Sequence, residues 1–231
     1  QNHSKLCRYS AETGKLIETL IEEEHPKYVE PQHPITFLPW DTTKFIYQSQ
    51  RDGYNHLYLY DTKGKLVKQL TSGQWLVQER VGFSNDYKCA FIRSTELSPL
   101  QSNIYRVDIQ SGKRTLLGTA EGVHQVSKSA SGKYLIDTYT APDAPRNVHI
   151  MDRKKRTSSN LLTAENPFKD YELPTIETGA IKAADGITDL HFRIVKPVNF
   201  DPNKKYPTIV YVYGGPHAQM VTNGFQNSAR G

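Results

Sequence analysis

Cysteine, methionine and tryptophan are all scarce in this 231-residue chain, with two of each. Cys7 and Cys89 sit in separate strand-like apolar runs, so no disulfide framework and no metal knuckle is expected, only buried free thiols. No stretch approaches the roughly 18 uninterrupted apolar residues of a membrane helix, so this segment is expected to make no direct membrane contact. The eight histidines show no His-Glu-x-x-His or other metal spacing, and no metal or cofactor is expected. Charge of one sign does not dominate either. Lys plus Arg is 29 against 24 for Asp plus Glu, and the basic residues are scattered apart from Arg153-Lys154-Lys155-Arg156, so no nucleic-acid partner is expected. That cluster falls where a hairpin tip is expected and reads as solvated. A start methionine, a basic n-region and an h-region are all missing from Gln1-Asn2-His3 onward, so any targeting segment lies upstream or has been removed. With 37% apolar and 23% charged residues the balance is that of an ordinary globular chain, which excludes disorder.

What the sequence does have is a repeat. Leu6-Cys7-Arg8-Tyr9, Leu57-Tyr58-Leu59-Tyr60, Ile104-Tyr105-Arg106-Val107 and Val148-His149-Ile150-Met151 each read as a strand leading to a turn and a second strand. Three of those turns end in Gly-Lys, at Gly14, Gly64 and Gly112. Asp61, Asp108 and Asp152 step by 47 and 44 residues, and Lys44, Lys88 and Lys133, each expected to open a strand, step by 44 and 45. Residues 78–82 and 123–128 supply a fourth, innermost strand per unit. Four short antiparallel strands recurring at about 45 residues predict β-propeller blades, because one blade cannot bury both faces without neighbours. A long β-sandwich is disfavoured by the sustained period. Residues 1–20 supply one outer hairpin and residues 35–162 three further blades. The result should be an open arc whose end sheets expose faces that the intact protein covers.

After the last blade the composition changes. Residues 163–174 hold two prolines and no clear period, and read as an interdomain linker. Residues 175–184 and 187–195 alternate as strands around Asp185-Gly186, a hairpin signal. Residues 196–207 hold three prolines and read as loop. Residues 208–213, Thr-Ile-Val-Tyr-Val-Tyr, form an apolar run of the kind found in a strand buried on both faces, and Gly214-Gly215-Pro216-His217 follows at once. In α/β-hydrolases the loop after the third strand carries oxyanion-hole donors, and glycines there let backbone approach the substrate carbonyl. A plain tight turn is the alternative reading of the same glycines. The expected architecture is mainly β: residues 1–165 as the C-terminal part of a propeller of about three to four four-stranded blades, then 166–231 as linker and first strands of an α/β-hydrolase domain.

Residues 205–217 (Lys-Tyr-Pro-Thr-Ile-Val-Tyr-Val-Tyr-Gly-Gly-Pro-His), 50–60 (Gln-Arg-Asp-Gly-Tyr-Asn-His-Leu-Tyr-Leu-Tyr), 28–34 (Tyr-Val-Glu-Pro-Gln-His-Pro) and 37–39 (Phe-Leu-Pro) resemble the dipeptidyl peptidase IV branch of the prolyl oligopeptidase family in its bacterial form. The resemblance runs over essentially the whole chain. It implies a serine exopeptidase that releases N-terminal X-Pro or X-Ala dipeptides from peptides with a free N-terminus. It further implies that Tyr213 donates its hydroxyl to the tetrahedral oxyanion, that Gly214 and Gly215 shape that loop and Pro216 stiffens it, and that Tyr28 reaches the substrate entrance. Export to the periplasm or envelope, and a parent able to form a homodimer, are implied on the same ground alone.

No Gly-x-Ser-x-Gly occurs in the chain, and only 18 residues follow Tyr213. The serine, aspartate and histidine of the triad are therefore expected outside it, and the segment alone should be inactive. Glu22-Glu23-Glu24 invites comparison with the family's pair of amine-binding glutamates. It falls after the place of that pair, however, and reads as a solvated connection between blades. His217 follows the oxyanion loop and could line the site; His25 and His33 in proline-rich loops and His191 in a strand read as surface or hydrogen-bonding residues. Two other functions fit part of the pattern: an acylaminoacyl peptidase or oligopeptidase of the same superfamily, and a non-catalytic propeller used for binding.

Overall fold

The repeat becomes a series of antiparallel meanders in a computed structural model of the chain, which describes residues 2–31, 33–84, 86, 88–153, 157–215 and 218–225. Strands β1 (His3–Tyr9) and β2 (Leu16–Glu24) pair into a two-stranded sheet. Three four-stranded sheets follow, each with its strands in sequence order. The first of these holds β3 (Thr36–Leu38), β4 (Asp41–Ser49), β5 (His56–Asp61) and β6 (Leu66–Gln69). The next holds β7 (Val77–Ser84), β8 (Cys89–Ser94), β9 (Asn103–Asp108) and β10 (Arg114–Leu117). The last holds β11 (Val123–Lys128), β12 (Tyr134–Ala141), β13 (Ala144–Asp152) and β14 (Thr157–Thr163). A separate hairpin joins β15 (Thr175–Lys182) to β16 (Asp189–Lys196). These are propeller-type blades, as the 45-residue period predicts.

Why the sheets stack is visible in single strands. Successive side chains point to opposite faces, so a strand between two neighbours must be apolar at every position. Leu57 and Leu59 enter a core shared with the next sheet, where they meet Val77, Ala90, Ile92, Tyr105 and Val107. Tyr58 and Tyr60, one residue out of step, face the opposite way and pack with Phe45, Tyr47 and Ile21 of β2. In β8 the same division places Ala90 and Ile92 in the first core, and Cys89 and Phe91 in a third with Ile104, Leu135 and Met151. Each fully buried Leu, Ile or Phe contributes roughly 1.5–3 kcal/mol, so each seam is held by several such terms. At the far side the seven residues of β14 are all exposed.

The Gly-Lys turns have a conformational basis. Gly64 holds φ at +80°, and a Cβ there would collide with the Leu20 carbonyl oxygen of β2, so the turn needs both left-handed backbone and a missing side chain.

Several expectations are corrected. Lys44 lies inside β4, which begins three residues earlier at Asp41, whereas Lys88 and Lys133 do precede their strands. Cys89 is buried, but Cys7 is only half-buried. Glu22-Glu23-Glu24 is the end of strand β2 and not a connection between blades. Asp185-Gly186 does sit in a hairpin, yet the loop is longer than a two-residue turn, spanning 183–188. Its organiser is the Asp185 carboxylate, which accepts the N–H groups of Ile187 and Thr188, each at 2.8 Å. Residues 208–213 form no strand: Ile209 is 95% exposed and Val210 79%. An apolar strand of an α/β sheet is stabilised by strands on both sides and layers on both faces, and no described residue of this chain supplies either. Pro216, His217 and Lys154-Lys155-Arg156 lie outside the described residues.

Candidate functional site

Tyr213, Gly214 and Gly215 lie together in an irregular segment. The Tyr213 ring folds back on its own chain: a Cβ at Gly215 would stand 2.7 Å from its Cε1, 2.8 Å from Cζ and 3.0 Å from the hydroxyl oxygen. Only glycine permits that approach. Tyr213 is half-exposed and its hydroxyl makes no hydrogen bond with a described residue, which leaves a phenol donor available to a ligand. Gly214 has open space at its Cβ position. Downstream, residues 221–225 tuck against the blades and the segment after β14: the Asn223 N–H donates to the Leu100 carbonyl at 2.8 Å, and Phe225 stacks on Phe168. Tyr28 lies in the connection between the first two sheets, with its ring edge-on to His25 at 6.3 Å between centroids and its N–H on His25 Nδ1 at 3.3 Å. It is supplied by a different part of the chain from the Tyr213 loop.

A second polar constellation, not foreseen in the sequence, lies at the seam between β2 and the β3–β6 sheet. Glu23 shares its strand face with buried Ile21 and so points inward. Its carboxylate binds the Arg51 guanidinium at 2.7 Å and accepts the Tyr47 hydroxyl at 3.1 Å and the Ser49 hydroxyl. Arg51 donates in turn to the Tyr60 hydroxyl at 2.5 Å and lies 4.4 Å above the Tyr58 ring. Burial, with the Glu23 carboxylate adding to it, pushes the Tyr47 hydroxyl well above the usual phenol range. Burial and the nearby Asp52 carboxylate do the same for Tyr58. The cluster contains no activated nucleophile. It locks two sheets together and holds the 50–60 motif in place. The signal that could have found it was Glu23 itself, an acid two residues from an inward-facing isoleucine.

Two further groupings look like chemistry and are not. His124 and Asp137 are fully buried, with Nδ1 2.9 Å from the carboxylate, which copies two members of a catalytic triad. But Nε2, the atom that would serve a nucleophile, faces the Glu121 carbonyl at 2.9 Å, and the imidazole is stacked on Tyr139. The pair is a buried strut between β11 and β12. On the exposed β1–β2 hairpin, His3, Glu22 and Glu24 bring possible metal-ligand atoms within 4.8 Å of one another. Glu22 is bound there by Lys5 at 2.9 Å as well as by His3, and these partners hold its carboxyl below the usual range. The cluster is a cross-strand polar ladder in which Lys5 and His3 already occupy the Glu22 carboxylate.

The model of the family described as the N-terminal region of dipeptidyl peptidase IV matches residues 1–146, from β1 into the start of β13. The chain belongs to the dipeptidyl peptidase IV family. Among solved structures, it superposes with a TM-score of 0.91 and 53% identity on a Bacteroides ovatus protein described as a dipeptidyl aminopeptidase IV, covering 100% of this chain and 35% of that one. Porphyromonas gingivalis dipeptidyl peptidase 4 gives 0.85 and 28%, covering 98% of this chain and 32% of that one. Dipeptidyl peptidase 4 of the fungus Arthroderma otae is 33% identical over 186 residues, 77% of this chain and 24% of its own length. The chain thus spans about a quarter of the curated dipeptidyl peptidase relatives it matches and about a third of these two solved chains.

Proposed function

We propose that the chain is the last part of the propeller, residues 1–165, and the beginning of the catalytic domain, residues 166–231, of a serine exopeptidase that releases X-Pro or X-Ala dipeptides from peptides with a free N-terminus. The observation that carries the reading is the Tyr213 loop. A phenol hydroxyl with no described partner, its ring laid over a glycine directly after an apolar run, suits a donor aimed at the developing oxyanion. Such a donor contributes about 3 kcal/mol to transition-state stabilisation. Gly214 and Gly215 leave room for backbone to approach the scissile carbonyl. The serine, aspartate and histidine belong to the parent outside these 231 residues. In this reading the parent acts in the periplasm or envelope and is able to dimerise. The propeller restricts access to the active site. A carboxylate pair upstream fixes the substrate ammonium two residues from the serine, so a blocked terminus would leave desolvated charge unpaired.

The test is hydrolysis of a Gly-Pro chromogenic dipeptide by the full-length parent, beside its N-acetylated form, the Tyr213→Phe variant and the present chain. Cleavage of the free amine only, a loss of about 10²–10³ in kcat for Tyr213→Phe and no turnover by the present chain are expected. Equal cleavage of the blocked substrate would indicate an acylaminoacyl peptidase or oligopeptidase. An inactive parent would favour a binding propeller.

A further inference from the structure

Between the third and fourth sheets of the chain lies a partly open cavity of about 300 Å³. Phe91, Leu117, Leu135 and Met151 form its apolar part, and Arg106 and Arg153 bring positive charge to it. The guanidinium of Arg153 lies 5.1 Å above the Phe91 ring, and its Nε and Nη1 are buried without a hydrogen-bond partner among the described residues. A buried guanidinium nitrogen without a partner is costly, and native structures seldom keep one unless something outside the protein satisfies it. Arg106 stands in no ion pair among the described residues. Asp108 acts on it through charge but does not line the cavity, and its Oδ1 accepts the N–H and hydroxyl of Ser111 at 2.7 and 2.6 Å. Asp152 also lines the cavity and acts on Lys133. Two cations therefore face one lining carboxylate across a mainly apolar space. The volume is at the lower end of that of small-molecule sites, which combine apolar walls with a few placed polar groups.

We propose that this cavity binds a small organic carboxylate, its head paired with Arg153 and Arg106 and its apolar body against Phe91, Leu135 and Met151. Neither guanidinium belongs to the peptidase reading above, and the proposal stands or falls separately from it. A planar carboxylate matches the guanidinium fork, and the apolar walls require a hydrocarbon or aromatic body that inorganic anions lack. The probes are 4-phenylbutyrate, the uncharged 4-phenylbutanol and inorganic phosphate, titrated calorimetrically into the 231-residue chain at low salt. The acid should bind about tenfold or more tightly than the alcohol, the ratio expected for one charge-assisted hydrogen bond. Phosphate should bind more weakly than the acid. Arg153→Gln should weaken the acid by a similar factor while leaving the alcohol within about twofold, which also reports that the variant is folded. Equal binding of acid and alcohol, no binding of the acid, or phosphate binding as tightly as the acid would overturn the proposal.

Discussion

Single residues in this chain act mostly through charge held at turns and seams. Asp41 opens β4 and binds the Lys44 ammonium at 2.5 Å and the Thr43 hydroxyl at 2.5 Å. Those partners, Lys44 first, hold its carboxyl at about 2 against an ordinary value of 3.8. A carboxylate whose folded pKa is lowered adds stability that is fully present above the ordinary value and disappears as pH falls toward the folded one. The melting temperature should therefore carry the full Asp41 contribution at pH 6, where it does not change with pH, and lose it between about pH 4 and 2. In Asp41→Asn, melts followed by circular dichroism should show a smaller drop across that window. An unchanged drop would mean that the ion pair does not form in solution. The Glu23–Arg51 pair differs from the exposed Lys169–Glu165 pair, whose side chains are 62% and 84% exposed and contribute little.

Elements were legible where their stability is local or repeats. Turn glycines, aspartates at strand ends and a two-residue alternation located every blade, because each blade is a meander whose strands pair with their sequence neighbours. What escaped depends on contacts between elements distant in sequence. Glu23 lies in β2 and Arg51 in the turn between β4 and β5, and nothing in the local pattern of either says that they meet. Residues 208–213 read as a buried strand because composition reports what a segment would need and not whether neighbours supply it. The Tyr213–Gly215 step was legible as a glycine turn, while the ring folding over Gly215 was not. The β5–β6 turn shows how tightly one element can depend on another. Gly64→Ala should cost well over about 1 kcal/mol, more than the same change at Gly14, where the added methyl meets nothing within 4 Å. Urea denaturation of the two variants compares them directly, and equal costs would show that the turn can withdraw from Leu20.

At the scale of the whole molecule, stability is distributed along a stack. Every inner sheet contributes alternate residues to two separate cores, so the loss of one seam leaves the next intact, as in other repeat architectures. The outermost elements, β14 and the β15–β16 hairpin, are largely exposed and should open first.

The alternation of cores within one strand also determines which substitutions influence one another. Phe91 and Ile92 are adjacent in sequence but belong to different seams, whereas Leu57 and Ile92 share one across two sheets. Double-mutant cycles with Phe91→Leu, Ile92→Val and Leu57→Val should give a coupling below about 0.5 kcal/mol for the adjacent pair and a larger one for the remote pair. Epistasis in this protein would then follow the stacking axis: a destabilising change in one blade would be compensated from the facing blade sooner than from the next residue in the chain.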